Sequence, residues 1–234
     1  FVNAGLISLA QSAGVIFGAN IGTTITAWIV SIFGFNFKIS AFAVPVVGLG
    51  YFLSIFKKRK YQNIGEAIMG FGLLFLGLSG LSSVFTPDQL GWMLNIKGTG
   101  ASAIILGFLI GIVVTALLHS SSAFSAIVIT MAYNGLISWE LAAAMTLGSN
   151  VGSTVDSIMA SMGTSANGRR AALIHVMFNL FGTIVVLCFL KPFLDLVMFI
   201  TPGQENSNIA IRISMLHTVF NIITTCVMTP LSGK

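Results

Sequence analysis

Hydroxyl and carboxamide side chains recur in two clusters that suit the binding of a small anion. Residues 18–24 read Gly-Ala-Asn-Ile-Gly-Thr-Thr, and residues 148–154 read Gly-Ser-Asn-Val-Gly-Ser-Thr. Hydroxyls and amides donate hydrogen bonds, and glycine lets the backbone approach a ligand closely. Three serines after His119 add further donors. The predicted anion-binding residues are Asn20, Gly22, Thr23, Thr24, Ser120, Ser121, Ser122, Asn150, Gly152, Ser153 and Thr154.

The clusters also contain oxygen atoms that suit a hard cation such as sodium. Asn20, Ser149 and Asn150 are predicted cation ligands together with Asp156, which lies inside an apolar stretch. A carboxylate at membrane depth costs roughly 2.5–3.5 kcal/mol, and such groups commonly mark ion paths. Two interpretations of Asp156 stay open: a cation or proton site, or a group nearer the interface that is solvated or paired with a basic residue. The sequence has no His/Cys cluster that predicts a transition metal.

A second pattern, His-x-x-Phe-Asn, occurs at His175–Asn179 and at His217–Asn221. Residues four apart share one face of a helix. Each His/Asn pair can therefore hydrogen-bond to the backbone of a polar cluster. We predict that these four residues, with His119, support the site rather than bind substrate directly.

The polar clusters belong to an internal repeat. Residues 5–8, Gly-Leu-Ile-Ser, return at 135–138, and the two clusters follow at the same spacing of 130 residues. The serine segment 119–122 precedes only the second copy. The spacing therefore predicts a first copy that lacks its N-terminal hairpin in this chain.

Composition indicates a membrane protein. The chain is 56% hydrophobic and 7% charged, whereas soluble domains are roughly a quarter charged. Continuous apolar stretches favour lipid-embedded helices over barrel strands, and the basic residues lie between spans, which indicates topology rather than nucleic-acid binding. The predicted fold is all-α and polytopic. Its uninterrupted spans are residues 39–56, 65–85, 171–190 and 209–229.

Two further apolar stretches are interrupted by polar residues: 101–133 at its serines and 139–162 at its polar cluster. Either both cross the bilayer, or 101–133 is a re-entrant hairpin and only 139–162 crosses. Residues 57–60, Lys-Lys-Arg-Lys, lie on the opposite side of the membrane from the loop 86–98, because one span separates them. Only the hairpin threading places Arg169-Arg170 on the same side as residues 57–60. Because Lys and Arg favour the cytoplasm, we expect the hairpin.

This threading makes the two basic loops and the C-terminus cytoplasmic and places Lys38 on the opposite face. The repeats are then inverted, an arrangement in which secondary transporters bind substrate near the midplane. The predicted division is residues 1–85, the remainder of the first repeat with the following spans, and residues 86–234, the second repeat.

The motifs at 18–24, 119–122 and 148–154, the His-x-x-Phe-Asn segments and the run Arg169-Arg170-Ala171-Ala172 resemble the bacterial branch of the type II sodium–phosphate cotransporter family. Members carry Gln-Ser-Ser-Ser in each inverted repeat, followed by Gly-Ala/Ser-Asn-Ile-Gly-Thr-Thr/Ser. The chain departs from this pattern at His119, where the family has Gln, and at Asp156, where a neutral residue is usual.

The resemblance implies a non-enzymatic inner-membrane symporter of inorganic phosphate that uses sodium as coupling ion and no cofactor. Its partners are phosphate, sodium and the lipid bilayer, not nucleic acid. A homodimer is left open, and bacterial relatives often continue into a C-terminal cytoplasmic regulatory domain. Alternatives from the residues alone are a carrier of sulfate or a dicarboxylate, and an anion channel.

Overall fold

The computed structural model describes residues 1–34, 39–85, 100–201 and 208–231. Within these ranges the regular structure is α-helical, because a helix pairs backbone polar groups within one segment, as lipid requires. The helices are α1 (Leu9–Gly22), α2 (Thr24–Phe33), α3 (Ile39–Ser54), α4 (Arg59–Val84), α5 (Ala101–Leu118), α6 (Ser121–Tyr133), α7 (Trp139–Gly152), α8 (Thr154–Ser161), α9 (Ala166–Cys188), α10 (Leu190–Ile200) and α11 (Ile209–Met228).

Five segments in the described ranges are long and apolar enough to cross a membrane: Leu9–Phe33, Arg59–Val84, Ala101–Leu118, Ala166–Cys188 and Ile209–Met228. The chain is therefore an all-α polytopic membrane protein, as predicted. Helices α4 and α9 begin a turn or more before the predicted spans, since helical structure continues past the apolar residues into the basic clusters. Lys38, the loop 86–98 and residues 232–234 lie outside the described residues.

The repeat is visible in matching local structure. The N-caps Ser8 and Ser138 accept hydrogen bonds from the backbone N–H groups of Gln11 and Leu141. Before each cap, Gly5 and Gly135 adopt φ angles of 71° and 73°, a left-handed conformation that glycine adopts at little cost. The helix pair α1–α2 and the pair α7–α8 therefore begin with the same turn.

Helices α5 and α6 form a hairpin. Helix α5 packs parallel to α7: a Cβ added at Gly107 would meet Leu141, and one added at Gly152 would meet Ile112 and Thr115. Helix α6 must therefore run back from the end of α5 to the start of α7. The tip is at His119, whose φ of 53° reverses the chain. The hairpin predicted from the sequence is thus present, and so are the two interrupted helices.

Contacts at the two ends of the bundle give the directions of the helices. Asn134, at the base of the hairpin, donates from Nδ2 to the carbonyl of Phe85, just after α4. At the other end, the N–H of Ser165, just after α8, donates to Oδ1 of Asn3, just before α1. Because α1 starts where α8 finishes, the two interrupted helices run in opposite directions, as inverted copies do.

Both basic clusters lie at the same end of the bundle. Helix α4 has 26 residues, about 39 Å at 1.5 Å per residue, so Arg59 lies far from Phe85 and the hairpin base. Arg169 lies beside Ser165, at the end that α8 reaches after leaving that base. We call this end, defined by Arg59 and Arg169, the basic end. This placement agrees with the charge argument that favoured the hairpin.

Helix α7 lies in the core, where residues 141–150 are all buried. One hydrophobic cluster joins α6 to α7 and includes Phe124, Val128, Ile129 and Leu141. A second cluster packs α7 against α11, with Leu147 beside Leu216 and Phe220. The polar segment 148–154 is consequently held on a rigid element.

Candidate functional site

A cavity of about 170 Å³ lies where the two interrupted helices and the hairpin tip meet. At roughly 30 Å³ per water molecule, it has room for five or six waters and hence for a tetrahedral oxyanion. It draws on both repeats, on α6 and on α9. Its lining residues are Ala19, Asn20, Thr23, Ser121, Asn150, Ser153 and His175.

The helix interruptions beside the cavity are compact. Thr23 and Ser153 have nearly identical right-handed dihedral angles, −63°/−21° and −63°/−18°. Their N–H groups bond to the carbonyls of Ala19 and Ser149, four residues earlier. Each helix is thus interrupted at one residue without an extended segment. Less backbone is free to meet a ligand than the sequence suggested, and side chains carry more of the binding.

Helix α6 supplies the exposed helix start. Ser120 is extended at the N-cap, and its Oγ accepts from the N–H of Ala123 at 3.2 Å. Ser121 then begins the helix and lines the cavity. The first N–H groups of a helix have no partner within it, and they carry the positive end of the helix dipole. An anion in the cavity can therefore meet both the hydroxyl and the backbone at this start.

Asn150 presents an unused donor. Its Oδ1 accepts from Nε2 of His217 at 2.9 Å, whereas its Nδ2 is buried and has no hydrogen-bond partner among the described residues. A buried unpaired donor costs roughly 1–3 kcal/mol. An anion in the cavity would satisfy this amide.

Asn20, the repeat mate of Asn150, is held by the other His/Asn pair. Its Oδ1 accepts from Nδ2 of Asn179 at 3.3 Å, and its own Nδ2 donates to the carbonyl of Ile16 at 2.8 Å. Asn179 also bonds to the carbonyl of His175. The two His-x-x-Phe-Asn segments thus contact the duplicated asparagines through side chains rather than through the interrupted backbone.

The cavity lining carries no fixed charge. In the part of the chain that the structure describes, no Asp, Glu, Lys or Arg lines it. An unpaired anion in such a place is costly. Neutral hydrogen-bond donors and the start of α6 are therefore the groups that an anion would meet there.

The three serines of the hairpin tip separate in space. Ser121 lines the central cavity, whereas Ser120 and Ser122 line a second, largely apolar cavity of about 590 Å³ between α2, α4 and α6. The Oγ of Ser122 also lies 3.5 Å from Oγ1 of Thr23. The tip therefore contacts the first repeat through Ser122 and faces the central cavity through Ser121.

The remaining predicted residues support the interruptions. Thr24 and Thr154 are buried, and each donates at 2.7 Å to the carbonyl three residues earlier. Ser149 accepts from Thr115 of α5 at 3.0 Å. Gly152 lets α5 approach closely, while a Cβ at Gly22 would meet nothing within 4 Å. None of these residues lines the central cavity.

Asp156 is paired with His119. The Nδ1 of His119 and Oδ1 of Asp156 are in hydrogen-bond contact between the hairpin tip and α8, and both side chains are about half exposed. Neither residue lines the central cavity. Pairing with a basic residue was one of the two interpretations left open for Asp156.

Comparison with known proteins identifies the family. The profile described as Na+/Pi-cotransporter matches residues 1–83 and 93–224. The chain belongs to this family. Its relatives in the family include YqeW of Bacillus subtilis (strain 168), 29% identical over 240 residues that cover all of this chain and 73% of YqeW.

Two further relatives are named for phosphate. YjbB of Escherichia coli (strain K12) carries a provisional name as an inorganic phosphate export protein, and it is 28% identical over 98% of this chain. Sodium-dependent phosphate transport protein 2B of Rattus norvegicus is 33% identical over 54% of the chain. The chain spans 41% of YjbB and the alignment covers 18% of the rat protein. No solved structure matches the chain significantly.

Ala19 and His175 line the cavity, although neither was predicted to contact the substrate. Ser157, whose Oγ lies 2.6 Å from Nδ1 of His175, was also missed. Ser157 lies one turn past Ser153 on the same interrupted helix. Its position among the polar residues of α8 was the available signal.

Proposed function

We propose that the protein is a sodium-coupled secondary transporter of inorganic phosphate. The observation that carries this proposal is the uncharged central cavity, built from both repeats and containing the unpaired amide of Asn150. Membership of a transporter family and the names of two relatives support phosphate as the substrate.

Phosphate would bind by hydrogen bonds alone. Donors available around the cavity are the Nδ2 of Asn150, the hydroxyls of Thr23 and Ser121, and the start of α6. These groups suit the oxygen atoms of a tetrahedral anion on several sides. The hydroxyl of Ser153 donates to the carbonyl of Asn150.

The uncharged lining supports sodium coupling. No Lys or Arg of the described chain lines the cavity, so a cation bound beside the anion would lower the cost of burying its charge. Sodium takes oxygen ligands, and the carboxamide oxygens of Asn20 and Asn150 each have a second lone pair. Such a cation would bind beside phosphate, and each ion would raise the affinity for the other.

Alternating access would use the inverted repeats. The hairpin tip touches the first repeat through Ser122 and Thr23, and it touches α8 through His119 and Asp156. These tip contacts are polar, whereas the body of the hairpin packs tightly on α7, so in this proposal the hairpin and α7 move together. In this proposal the basic end faces the cytoplasm of an inner-membrane protein, because Lys and Arg favour that side.

Phosphate flux in proteoliposomes tests the function. The natural full-length protein should take up radiolabelled phosphate when a sodium gradient is imposed, and uptake should saturate. Transport that is absent, or equal with and without sodium, contradicts the proposal. Flux that does not saturate identifies a channel, and stronger competition by sulfate or a dicarboxylate identifies a different substrate.

The direction of transport is tested in a separate experiment, because one relative is named for export. Proteoliposomes loaded with labelled phosphate and sodium should release phosphate when the outward sodium gradient is imposed. A coupled symporter runs both ways according to the gradients. Release that ignores sodium, in liposomes that also fail to accumulate phosphate, contradicts sodium coupling.

A further inference from the structure

A polar cavity of about 480 Å³ lies at the end of the bundle opposite the basic end. Its walls come from the turn between α6 and α7, from α10 and from the first turn of α11. The neighbouring Asn134 bonds to Phe85, where α4, which is long enough to cross the bilayer, has just ended. The cavity therefore lies near the membrane surface.

Arg212 places a positive charge in this cavity. The residue lies in the first turn of α11 and is 6% exposed. It is at the end away from both basic clusters, so the charge asymmetry of membrane proteins does not account for it. The positive end of the α11 dipole adds to its charge. This wall therefore suits a phosphate group, to which a guanidinium can donate two parallel hydrogen bonds.

Glu140 places a negative charge in the same cavity. It is exposed in the first turn of α7, a position where a carboxylate also suits the helix dipole. Within the described ranges, no basic side chain forms an ion pair with Glu140. The two charged residues that line the cavity thus do not neutralise each other by direct contact. A ligand that carries both a negative and a positive group could contact both.

Aromatic and apolar side chains complete the lining. Tyr133 and Trp139 are residue types that membrane proteins concentrate at the level of the lipid headgroups. The Nε1 of Trp139 is buried and has no hydrogen-bond partner in the part of the chain that the structure describes. Met198 adds an apolar wall from α10, and its neighbour Phe199 is 89% exposed. Apolar surface that can contact lipid chains therefore adjoins the charged residues.

We propose that this cavity binds the headgroup of an aminophospholipid, the class of lipid whose headgroup carries one phosphate and one ammonium group. Arg212 binds the phosphate, Glu140 binds the ammonium group, and the acyl chains pass Met198 and Phe199 into the bilayer. Inorganic phosphate would fill only about a third of the cavity at roughly 30 Å³ per water-sized group, and it would leave Glu140 without a partner. The site does not depend on which anion the protein transports.

A bound headgroup would connect parts of the protein that the chain itself joins only at a distance. Glu140 follows the base of the hairpin, whereas Arg212 begins the helix that carries His217, the partner of Asn150. The lipid would therefore hold the hairpin base against α11. It would stabilise this arrangement from the membrane surface, without contacting the central cavity.

Lipid binding to the natural full-length protein in detergent tests the site. Phosphatidylethanolamine and phosphatidylglycerol are added separately, and bound lipid is counted by native mass spectrometry. Phosphatidylethanolamine should bind about tenfold more tightly, because phosphatidylglycerol lacks the ammonium group that bonds to Glu140. Inorganic phosphate is then added as a competitor, and it should not displace the lipid.

Three variants locate the binding in the cavity. Glu140→Gln should lower the affinity for phosphatidylethanolamine about tenfold and leave phosphatidylglycerol unchanged, so that the preference disappears. Arg212→Lys keeps the charge but loses the paired hydrogen bonds, and it should weaken both lipids. Asp195→Asn is the matched control, because it removes an exposed carboxylate from α10 at the same end without touching the cavity.

The proposal is overturned if the natural protein binds the two lipids equally or if Glu140→Gln keeps the preference. Displacement of the lipid by inorganic phosphate would instead identify a site for the free anion. An equal loss of preference in Asp195→Asn would assign the effect to total surface charge, which also contradicts the site. Glu140 is exposed, so its variant decides the question even if Arg212→Lys does not fold. Lipid preference without phosphate flux would contradict the proposed function alone.

Discussion

Nε2 of His217 donates a hydrogen bond to Oδ1 of Asn150 over 2.9 Å, and this bond turns the Nδ2 of Asn150 into a buried position without a partner. Because the amide oxygen can only accept, the bond determines which end of the carboxamide is free. A histidine outside the cavity thereby sets the donor inside it.

His217→Ala should weaken phosphate binding by about tenfold, the worth of one orienting hydrogen bond. The loss should be seen in the KM for phosphate, since the amide of Asn150 is then free to rotate. His217→Gln keeps a donor and should recover much of the affinity. Cys226→Ala, an exposed change on the same helix, is the control, and equal KM values in all four proteins contradict the prediction.

Asn150→Asp should abolish phosphate transport. The change keeps the shape of the side chain but replaces the free donor with a negative charge in an uncharged cavity, where an anion is then repelled. Uptake should fall by at least about a hundredfold, as the loss of 3 kcal/mol or more would give. Asn167→Asp is the matched control on an exposed turn, and retained uptake in Asn150→Asp contradicts the assigned site.

The three serines of the hairpin tip should give different phenotypes when changed singly to alanine. Ser121→Ala should raise the KM for phosphate most, because only this serine lines the central cavity. Ser120→Ala removes the N-cap of α6 and should lower the free energy of unfolding by about 1 kcal/mol. Measurement of both KM and thermal stability separates the two effects, and a larger KM change in Ser120→Ala or Ser122→Ala contradicts the assignment.

Gly111→Ala should destabilise the protein by forcing α5 of the hairpin away from α7. An added Cβ would collide with the carbonyl oxygen of Met145, so α5 and α7 must separate, at a cost of about 1–3 kcal/mol. Gly80→Ala on α4 is the control, since a Cβ there meets nothing within 4 Å. Thermal unfolding in detergent is the measurement, and equal midpoints contradict close packing of the two helices.

Asp156→Asn should leave the sodium dependence of transport almost unchanged. The carboxylate pairs with His119 outside the central cavity, and both groups are about half exposed. An exposed pair contributes about 0–1 kcal/mol, so stability should change little. Loss of a charged ligand worth about 1.5 kcal/mol or more would reduce the sodium affinity more than about tenfold. Such a reduction would identify Asp156 as a cation ligand.

Repeated motifs and charge clusters were sufficient to predict much of the architecture. The spacing between Gly5 and Gly135 recurs in the caps and interruptions of both repeats. The basic residues Arg59 and Arg169 selected the hairpin threading, and they lie at one end of the bundle. These features depend on local sequence and on overall polarity, which a single sequence records.

Side-chain directions at the site were less accessible. Ser120, Ser121 and Ser122 are adjacent and chemically identical, so only the helix start at Ser121 decides which one faces the central cavity. The role of His175 depends on the packing of α9 against α8, between residues 18 positions apart. Such relationships arise from tertiary packing, which composition and spacing do not encode.

The neutral lining of the central cavity determines how the carrier would respond to voltage. With no acidic or permanently basic side chain on the described lining, the empty cavity carries no charge when it reorients, so voltage acts on the step that moves the cargo. Divalent phosphate with two sodium ions would move no net charge across the membrane. A third sodium ion would add one net positive charge and about 2.3 kcal/mol of driving energy per 100 mV. Current recorded during phosphate flux would therefore count the sodium ions.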